Sequence, residues 1–275
     1  MHQSEVLSSC QPATCCDQQW ASGTLPVPII QPIDMNDVVA VAPEFEDMDL
    51  QTVLEELSSR ETRSRLIQGL QLTDAQRLST PSPDSDSATP PSFESTEAIP
   101  PTHLLVAHDG LNGPSFAYPC HAVVLASHFA HLPPSPAPYP QPAGTIHRMD
   151  VVIPYPAAFD LIREYAYTHS SEALISRLLG LAPGVPRTSE AVFEELQDME
   201  VEELSVRARM VQEVYADATA LGLVDKQFWE QIQMASCFVT SALNHAVWRD
   251  QMEELEELGE RFQPPSEAVP IIIPS

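Results

Sequence analysis

The amino-acid sequence predicts an α+β domain, in which a small three-stranded sheet is covered by helices and preceded by a proline-rich N-terminal arm. Three observations support this fold class. Short apolar runs bounded by turn residues, typical of strands, lie together in the middle of the chain. Apolar stripes at helical spacing lie before and after them. The 27 prolines of the 275 residues fall mainly outside those stripes. Because the strands do not alternate regularly with helices along the chain, the pattern favours α+β over a parallel α/β sheet.

The N-terminal part is predicted to be a tail, an arm and a helical segment. Residues 1–24 mix Ser, Gln, Cys and Thr without periodicity and are interpreted as a disordered tail. Residues 25–43 alternate apolar residues with prolines, which indicates an extended arm lying on a surface. Asp49 can cap a helical segment that we expect to extend to residue 78. Its apolar positions follow helical spacing: Leu50, Val53, Leu54, Leu57, Leu66, Ile67 and Leu70.

A linker separates this region from the predicted core. Residues 79–101 are rich in Ser, Pro and Asp and nearly free of large apolar groups, so they cannot offset the entropy cost of ordering. The core is predicted over 102–249. Its strands are expected around the apolar runs 104–107, 116–118 and 149–153, with turn residues at Asp109-Gly110 and Asn112-Gly113 and a short helix at 121–127.

Two insertions are predicted within this core. The first, 133–147, is proline-rich, and the second, 182–205, is acidic. Helices are expected at the apolar stripes within 159–166, 174–179 and 210–221, and in a long helix that Asp225 can cap. Residues 250–275 are interpreted as an acidic helix and a tail.

Charge and composition exclude several classes of function. The chain has 13 Lys and Arg against 39 Asp and Glu, a formal charge of -26, and its one lysine is Lys226. Direct binding to nucleic acid is therefore not expected, since it needs clustered cations. No apolar run approaches the roughly 18 residues of a membrane span, and no signal peptide is evident. Five cysteines without framework spacing indicate a reduced, intracellular chain.

Three segments resemble parts of a BTB/POZ domain. Two short strands followed by His121-Ala122-Val123-Val124-Leu125-Ala126 are similar to its opening. Val151-Val152-Ile153 and the helix ending in Tyr165-Ala166-Tyr167-Thr168 resemble its third strand and next helix. The segment 214–223, with Ala216-Asp217 and Leu221-Gly222-Leu223, is similar to its closing helices. The resemblance implies a BTB/POZ-like core.

A closer resemblance is to the clampless proteins of basidiomycete fungi. It rests on Pro101-Thr102-His103-Leu104-Leu105, on 121–126, and on His128-Phe129-Ala130-His131-Leu132-Pro133 before a proline-rich gap. Residues 25–34, Leu-Pro-Val-Pro-Ile-Ile-Gln-Pro-Ile-Asp, resemble the opening of that family. The resemblance covers roughly 25–72 and 101–247. It implies a non-enzymatic regulator of sexual development, of clamp-cell formation and dikaryon growth, in the nucleus and/or cytoplasm, acting downstream of mating-type transcription factors.

A metal site is the first alternative that the sequence raises. His121, His128 and His131 lie within eleven residues, with His103 and His108 nearby. However, no C-x-x-C or H-E-x-x-H pattern supplies the spacing of strong zinc signals. We therefore interpret these histidines as packed or capping side chains and expect no metal and no cofactor.

An enzyme is the second alternative. A metal-dependent, hydrolase-like site could use His108, Asp109 and His121, provided that a polar pocket joins the three side chains. No nucleophile elbow, catalytic cysteine motif or glycine-rich phosphate loop accompanies them. The sequence thus predicts that the protein is not an enzyme and has no catalytic residues.

Partner binding is the leading prediction, and four residues are candidate contacts: Pro136 and Tyr139 in the proline-rich loop, and Leu196 and Met199 in the acidic segment. Residues 194–204 interleave acids with apolar groups, as partner-binding helices do, although a helix packing on its own domain has the same pattern. Expected partners are regulatory proteins, including transcription factors with basic surfaces, attracted by charge. A BTB-type scaffold or ubiquitin-ligase adaptor is the alternative, and the two insertions argue against the standard BTB dimer.

Overall fold

The computed structural model describes residues 25–26, 28–78, 98–110, 113–133, 146–185 and 187–257. The described part contains nine α-helices, one 3-10 turn and three strands. In chain order these are α1 (Met35–Val41), the 3-10 turn (Pro43–Phe45), α2 (Leu50–Ser58), α3 (Arg60–Leu78), β1 (His103–His108), β2 (Phe116–Cys120), α4 (Ala122–His128), β3 (His147–Val152), α5 (Phe159–Thr168), α6 (Ser171–Leu179), α7 (Ser189–Gln197), α8 (Val201–Leu221) and α9 (Lys226–Glu257).

The three strands form one open sheet in the order β2-β1-β3. β1 and β2 are antiparallel, with His103 opposite Cys120. β1 and β3 are parallel, with His103 opposite His147. The central strand β1 is the most buried of the three, as expected for a strand paired on both edges. The predicted α+β class and its small three-stranded sheet are confirmed.

Helices cover the sheet through aromatic contacts. Phe159 of α5 is fully buried, and its ring lies 5.1 Å from that of Tyr118 on β2. Farther along α5, the ring of Tyr165 lies 5.1 Å from that of Phe228 on α9. These edge-on contacts have the geometry that aromatic pairs prefer, and they join the sheet, α5 and α9 in one core.

The acidic insertion contributes to this core. Val192 and Leu196 of α7 and Leu204 of α8 are buried in the same apolar cluster as the sheet. The acidic stretch forms two helices, because α7 ends at Gln197 and the extended backbone of Glu200 starts α8. The apolar stripes on both sides of the break therefore face one core.

The N-terminal arm docks on the domain and then becomes helical. Leu25 is buried, and the carbonyl of Pro26 accepts a hydrogen bond of 2.8 Å from the hydroxyl of Tyr215 on α8. The prediction of an extended chain as far as residue 43 is wrong beyond Asp34. The Asp34 carboxylate caps α1 by accepting from the Asn36 backbone at 2.9 Å. Val38 is fully buried where α1 packs on α4, and this burial outweighs the low helix propensity of valine.

The helical segment after the arm is two helices. Asp49 caps α2 as predicted, since its carboxylate accepts from the Thr52 backbone at 2.8 Å. Ser59, with ψ of 143°, ends α2. Its hydroxyl then accepts from the Thr62 backbone at 3.3 Å in the first turn of α3. The predicted apolar positions thus lie on two helices joined at a serine.

The last residues of the predicted linker pack against α3. The backbone N–H of Ile99 donates to the carbonyl of Arg65 at 3.1 Å. A Cβ atom added to Gly69 would lie 1.7 Å from the Ile99 carbonyl oxygen, so only glycine allows this approach. Residues 98–101 are therefore part of the packed structure, whereas 79–97 lie outside the described residues.

The long C-terminal helix begins as predicted and continues past the predicted boundary. The Asp225 carboxylate caps α9 by accepting from the backbone of Gln227 at 2.7 Å and of Phe228 at 3.2 Å. The helix continues without a break to Glu257, across the domain boundary predicted at residue 249. The predicted tails, 1–24 and 258–275, lie outside the described residues. None of the helices described is long and apolar enough to span a bilayer.

Candidate partner-binding surface

The predicted contact residues differ in where they lie. Pro136 and Tyr139 are outside the described residues. Leu196 is fully buried, so it presents no surface to a partner in this conformation. Met199 is partly buried and packs against the core. Leu196 is buried because the apolar side of α7 packs against α9. The structure thus supports the alternative interpretation, a helix that packs on its own domain.

The charged side of the same helices is exposed. We use the term acidic face for the exposed carboxylates around the junction of α7 and α8. They are Glu190, Glu194, Glu195, Asp198, Glu200, Glu202 and Glu203. Arg187 binds Glu195 at 2.6 Å and Arg207 binds Glu203 at 3.1 Å. The seven carboxylates outnumber these two arginines and Arg249, which contacts Gln197, so the acidic face is negative.

An exposed tryptophan lies on α9, one residue before an arginine that contacts the end of α7. Arg249 of α9 donates a hydrogen bond of 3.0 Å to the carbonyl of Gln197 at the end of α7. Its neighbour Trp248 is 57% exposed, and Val247 is 37% exposed. Trp248 is not among the contact residues that the sequence predicts. One signal was present: the apolar stripe of α9 continues through Ala246, and Trp248 falls outside that stripe.

His121 is held in the core by two defined partners. Its Nε2 lies 2.9 Å from the carbonyl of Ile99, and its Nδ1 lies 3.0 Å from the hydroxyl of Tyr167. A carbonyl only accepts hydrogen bonds, so Nε2 carries the proton and Nδ1 accepts from Tyr167. Burial lowers the pKa of His121 to about 4. The side chain is a neutral structural link and is not free to bind a metal.

His128 and His131, the other two histidines of the cluster, contact groups that differ from those around His121. His128 Nδ1 lies 2.8 Å from the carbonyl of Val124, and its Nε2 lies 3.1 Å from Nε2 of His169. His131 Nδ1 lies 3.3 Å from the carbonyl of Ala220. Across the described ranges, no three His, Cys, Asp or Glu side chains are grouped so that they could hold a metal ion.

The three residues of the hydrolase alternative lie at the two ends of one hairpin. His108 ends β1, where its Nδ1 accepts from the Gly110 backbone at 3.1 Å. His121 follows Cys120, which pairs with His103 at the opposite end of the same strand. The five steps along β1 from His103 to His108 span about 16 Å. His108 and Asp109 are thus at one end of the hairpin and His121 is at the other.

Asp217 is the buried carboxyl group with the most unusual chemistry. It is fully buried, and burial raises its pKa to about 7. One oxygen accepts from the Tyr155 backbone at 2.7 Å, and the other has no hydrogen-bond partner among the described residues. A raised pKa is a feature of catalytic acids. Because the group is closed off from solvent, its consequence here is for stability.

The substitution Asp217→Asn should change how stability depends on pH. The native pKa lies above the unfolded value of 3.8, so the native state binds this proton more tightly, and the contribution of Asp217 to stability falls as the pH rises from about 4 to 7. Asparagine stays neutral and should make the protein more stable by about 4 kcal/mol at pH 8, with little difference at pH 4. Urea unfolding across this range measures the effect.

A matched control is Asp198→Asn, which removes an exposed carboxylate of the acidic face. This variant should keep the pH dependence of the wild type. Equal unfolding free energies for Asp217→Asn and wild type at pH 8 would show that burial of Asp217 carries no penalty.

Comparison with known proteins identifies the family. A sequence model of the clampless protein 1 N-terminal domain matches residues 28–210, about two thirds of the chain. The chain belongs to the clampless family. The family resemblance seen in the sequence is thereby confirmed, and family membership indicates a regulator of fungal development.

The clampless match covers the arm, the sheet and α1 to α7, and it ends at Met210 within α8. The second half of α8 and all of α9, with Trp248, follow the matched region. No curated protein and no solved structure matches the clampless chain. The BTB/POZ-like description of the core therefore stays a prediction.

Proposed function

We propose that this clampless-family protein is a non-enzymatic protein-interaction regulator of fungal sexual development, of clamp-cell formation and dikaryon growth. It binds transcription factors or other regulators that have basic surfaces. Family membership supports the developmental role. The exposed acidic face is the observation that supports this mode of binding, and α9, which packs against α7, carries the exposed Trp248.

The chemistry of this surface suits a basic protein partner. Aromatic residues are enriched at the energetic centres of interfaces, and more than half of the Trp248 side chain is exposed to solvent. The carboxylates of the acidic face attract a basic partner over several ångströms and disfavour acidic ones. The same charge repels phosphate backbones, so direct binding to DNA or RNA is not part of the proposal.

The proposal places the protein inside the cell, in the nucleus and/or cytoplasm, with no catalytic role. The histidines of the hydrolase alternative support this: His108 and His121 lie at opposite ends of the β1–β2 hairpin, and each has local partners. A self-associating BTB-type scaffold is less favoured, because two copies would each carry a charge of -26.

Neutralising the acidic face should weaken partner binding. In the variant Glu194→Gln, Asp198→Asn, Glu202→Gln, three exposed carboxylates are removed. Regulators that affinity capture recovers from mating-stage cells with the wild type should then be recovered about tenfold less, since electrostatic steering changes association by such factors. Quantitative mass spectrometry of the captured proteins measures the change.

The matched control removes the same number of charges elsewhere, in the variant Glu61→Gln, Asp150→Asn, Glu230→Gln, which changes exposed residues of α3, β3 and α9. This variant has the same net charge as the first but keeps the acidic face. Equal losses in the two variants would show that overall charge, and not the acidic face, governs binding. Equal recovery by both variants and the wild type would remove the proposed binding mode.

A further inference from the structure

A small groove lies between the N-terminal arm with α1 and α4 of the domain, and no residue of the acidic face lines it. It has a volume of about 190 Å³. Its walls are α1, α4 and the residues that follow α4. Apolar side chains form much of its lining: Ile33, Val41, Leu125, Phe129, Leu132 and Met149.

The size of the groove restricts what can occupy it. Sites for cofactors and drug-sized ligands are usually about 300–1,000 Å³, which is larger than this groove. An engineered apolar cavity of about 150 Å³ binds benzene. The groove at about 190 Å³ therefore has room for one large apolar side chain, such as leucine or phenylalanine.

The charged residues that line the groove are both acidic. Asp34 and Asp37 line it, and both are exposed. They belong to the stretch 25–59, which has no Lys, Arg or His. Its acids number eight: Asp34, Asp37, Glu44, Glu46, Asp47, Asp49, Glu55 and Glu56. An apolar side chain entering the groove would fit best if Lys or Arg flanked it in its own sequence.

We propose that this groove docks one large apolar side chain, flanked by Lys or Arg, from a partner protein. The inference rests on the proposed function, since it adds a second contact site for a basic regulator. An interface needs a buried apolar anchor in a pocket and a complementary rim, and the groove supplies both. A second copy of this chain is a poorer occupant, because its charge of -26 repels the acidic rim.

The test is a selection from a phage-displayed library of random 12-residue peptides against the full-length protein. Peptides that bind should combine Leu, Phe, Met or Trp with a Lys or Arg within four residues. Asp37→Lys should weaken the selected peptides by about fivefold or more, because it reverses a charge at the rim. Asp47→Lys, the same reversal at an exposed position outside the groove, should change binding by less than about twofold.

A blocking variant and a cross-link complete the test. Ala126 lines the groove, and Ala126→Trp should fill it and abolish peptide binding. Peptides without cations, or peptides insensitive to both Asp37→Lys and Ala126→Trp, would overturn the proposal. A photoreactive group attached at position 126 in the variant Ala126→Cys gives a further readout. A cross-link from this group to the same chain or to a second copy, with loss of peptide binding, would also overturn the proposal. Failure here leaves the acidic-face experiment intact, since its three substitutions lie outside the groove.

Discussion

Gly69→Ala is expected to lower the free energy of unfolding by about 3 kcal/mol or more, although alanine is the better helix former by about 1 kcal/mol. Gly69 lies in α3, and the added Cβ would meet the Ile99 carbonyl oxygen at 1.7 Å. That oxygen is backbone and cannot rotate away, and it also accepts from His121. The variant must shift residues 98–100 or tilt α3. Urea unfolding followed by circular dichroism measures the loss.

Ser64→Ala is the matched control, because Ser64 is an exposed residue of the same helix. It should be as stable as the wild type or slightly more stable, in line with helix propensity alone. If Gly69→Ala behaved in the same way, residues 98–100 would not pack against α3 as described.

The protein is expected to lose stability steeply between about pH 6.5 and pH 4. Burial lowers the pKa values of His103, His121 and His128 to about 4. In the unfolded chain these histidines take up protons near pH 6.5, so the unfolded state binds more protons in this interval and stability falls with falling pH. Each contributes about 3 kcal/mol, so all three together approach the entire stability of a typical domain. Urea unfolding at half-unit pH steps measures the fall.

The contribution of Asp217 to stability rises as the pH falls, opposite to that of the histidines, but it is smaller than the combined contribution of the three histidines. Its raised pKa stabilises the native state by about 4 kcal/mol as the pH falls from 7 to 4, which offsets about one of the three histidines. The Asp217→Asn variant should therefore lose stability with acid more steeply than the wild type. The control is His131→Gln, which replaces an exposed histidine and should unfold in acid like the wild type. A wild-type protein as stable at pH 4.5 as at pH 7 would contradict the burial of the three histidines.

The strands and most helices could be predicted from local sequence signals. Apolar runs between turn residues predict β1, β2 and β3, and Asp49 and Asp225 are at helix starts as their short acceptor side chains indicate. These signals act within a few residues. The resemblance to the clampless family also comes from local motifs, and the family match confirms it.

Features that depend on distant contacts could not be predicted. α1 forms in a valine-rich stretch because Val38 packs on α4, which lies more than 80 residues later in the chain. The close approach of Gly69 and Ile99 depends on two segments separated by a linker. Only the folded chain shows that Leu196 faces the core, since a binding helix and a packing helix share one apolar pattern.

The candidate surfaces were predictable only in part. The acids of 194–203 are evident in the sequence, and the structure places them on an exposed face. The contact of Arg249 with Gln197 joins α9, which carries Trp248, to the end of α7, although the two residues are more than 50 positions apart. The groove likewise combines the arm, α4 and β3.

The central claim is that the acidic face attracts a basic partner, and its most direct test is the salt dependence of association. One captured regulator would be purified, and its association rate constant with the wild type measured from 50 to 500 mM NaCl. We expect a fall of about tenfold or more for the wild type, because salt screens exposed charges. The variant neutralised at Glu194, Asp198 and Glu202 should start slower and change less. A wild-type association rate independent of salt would contradict the claim.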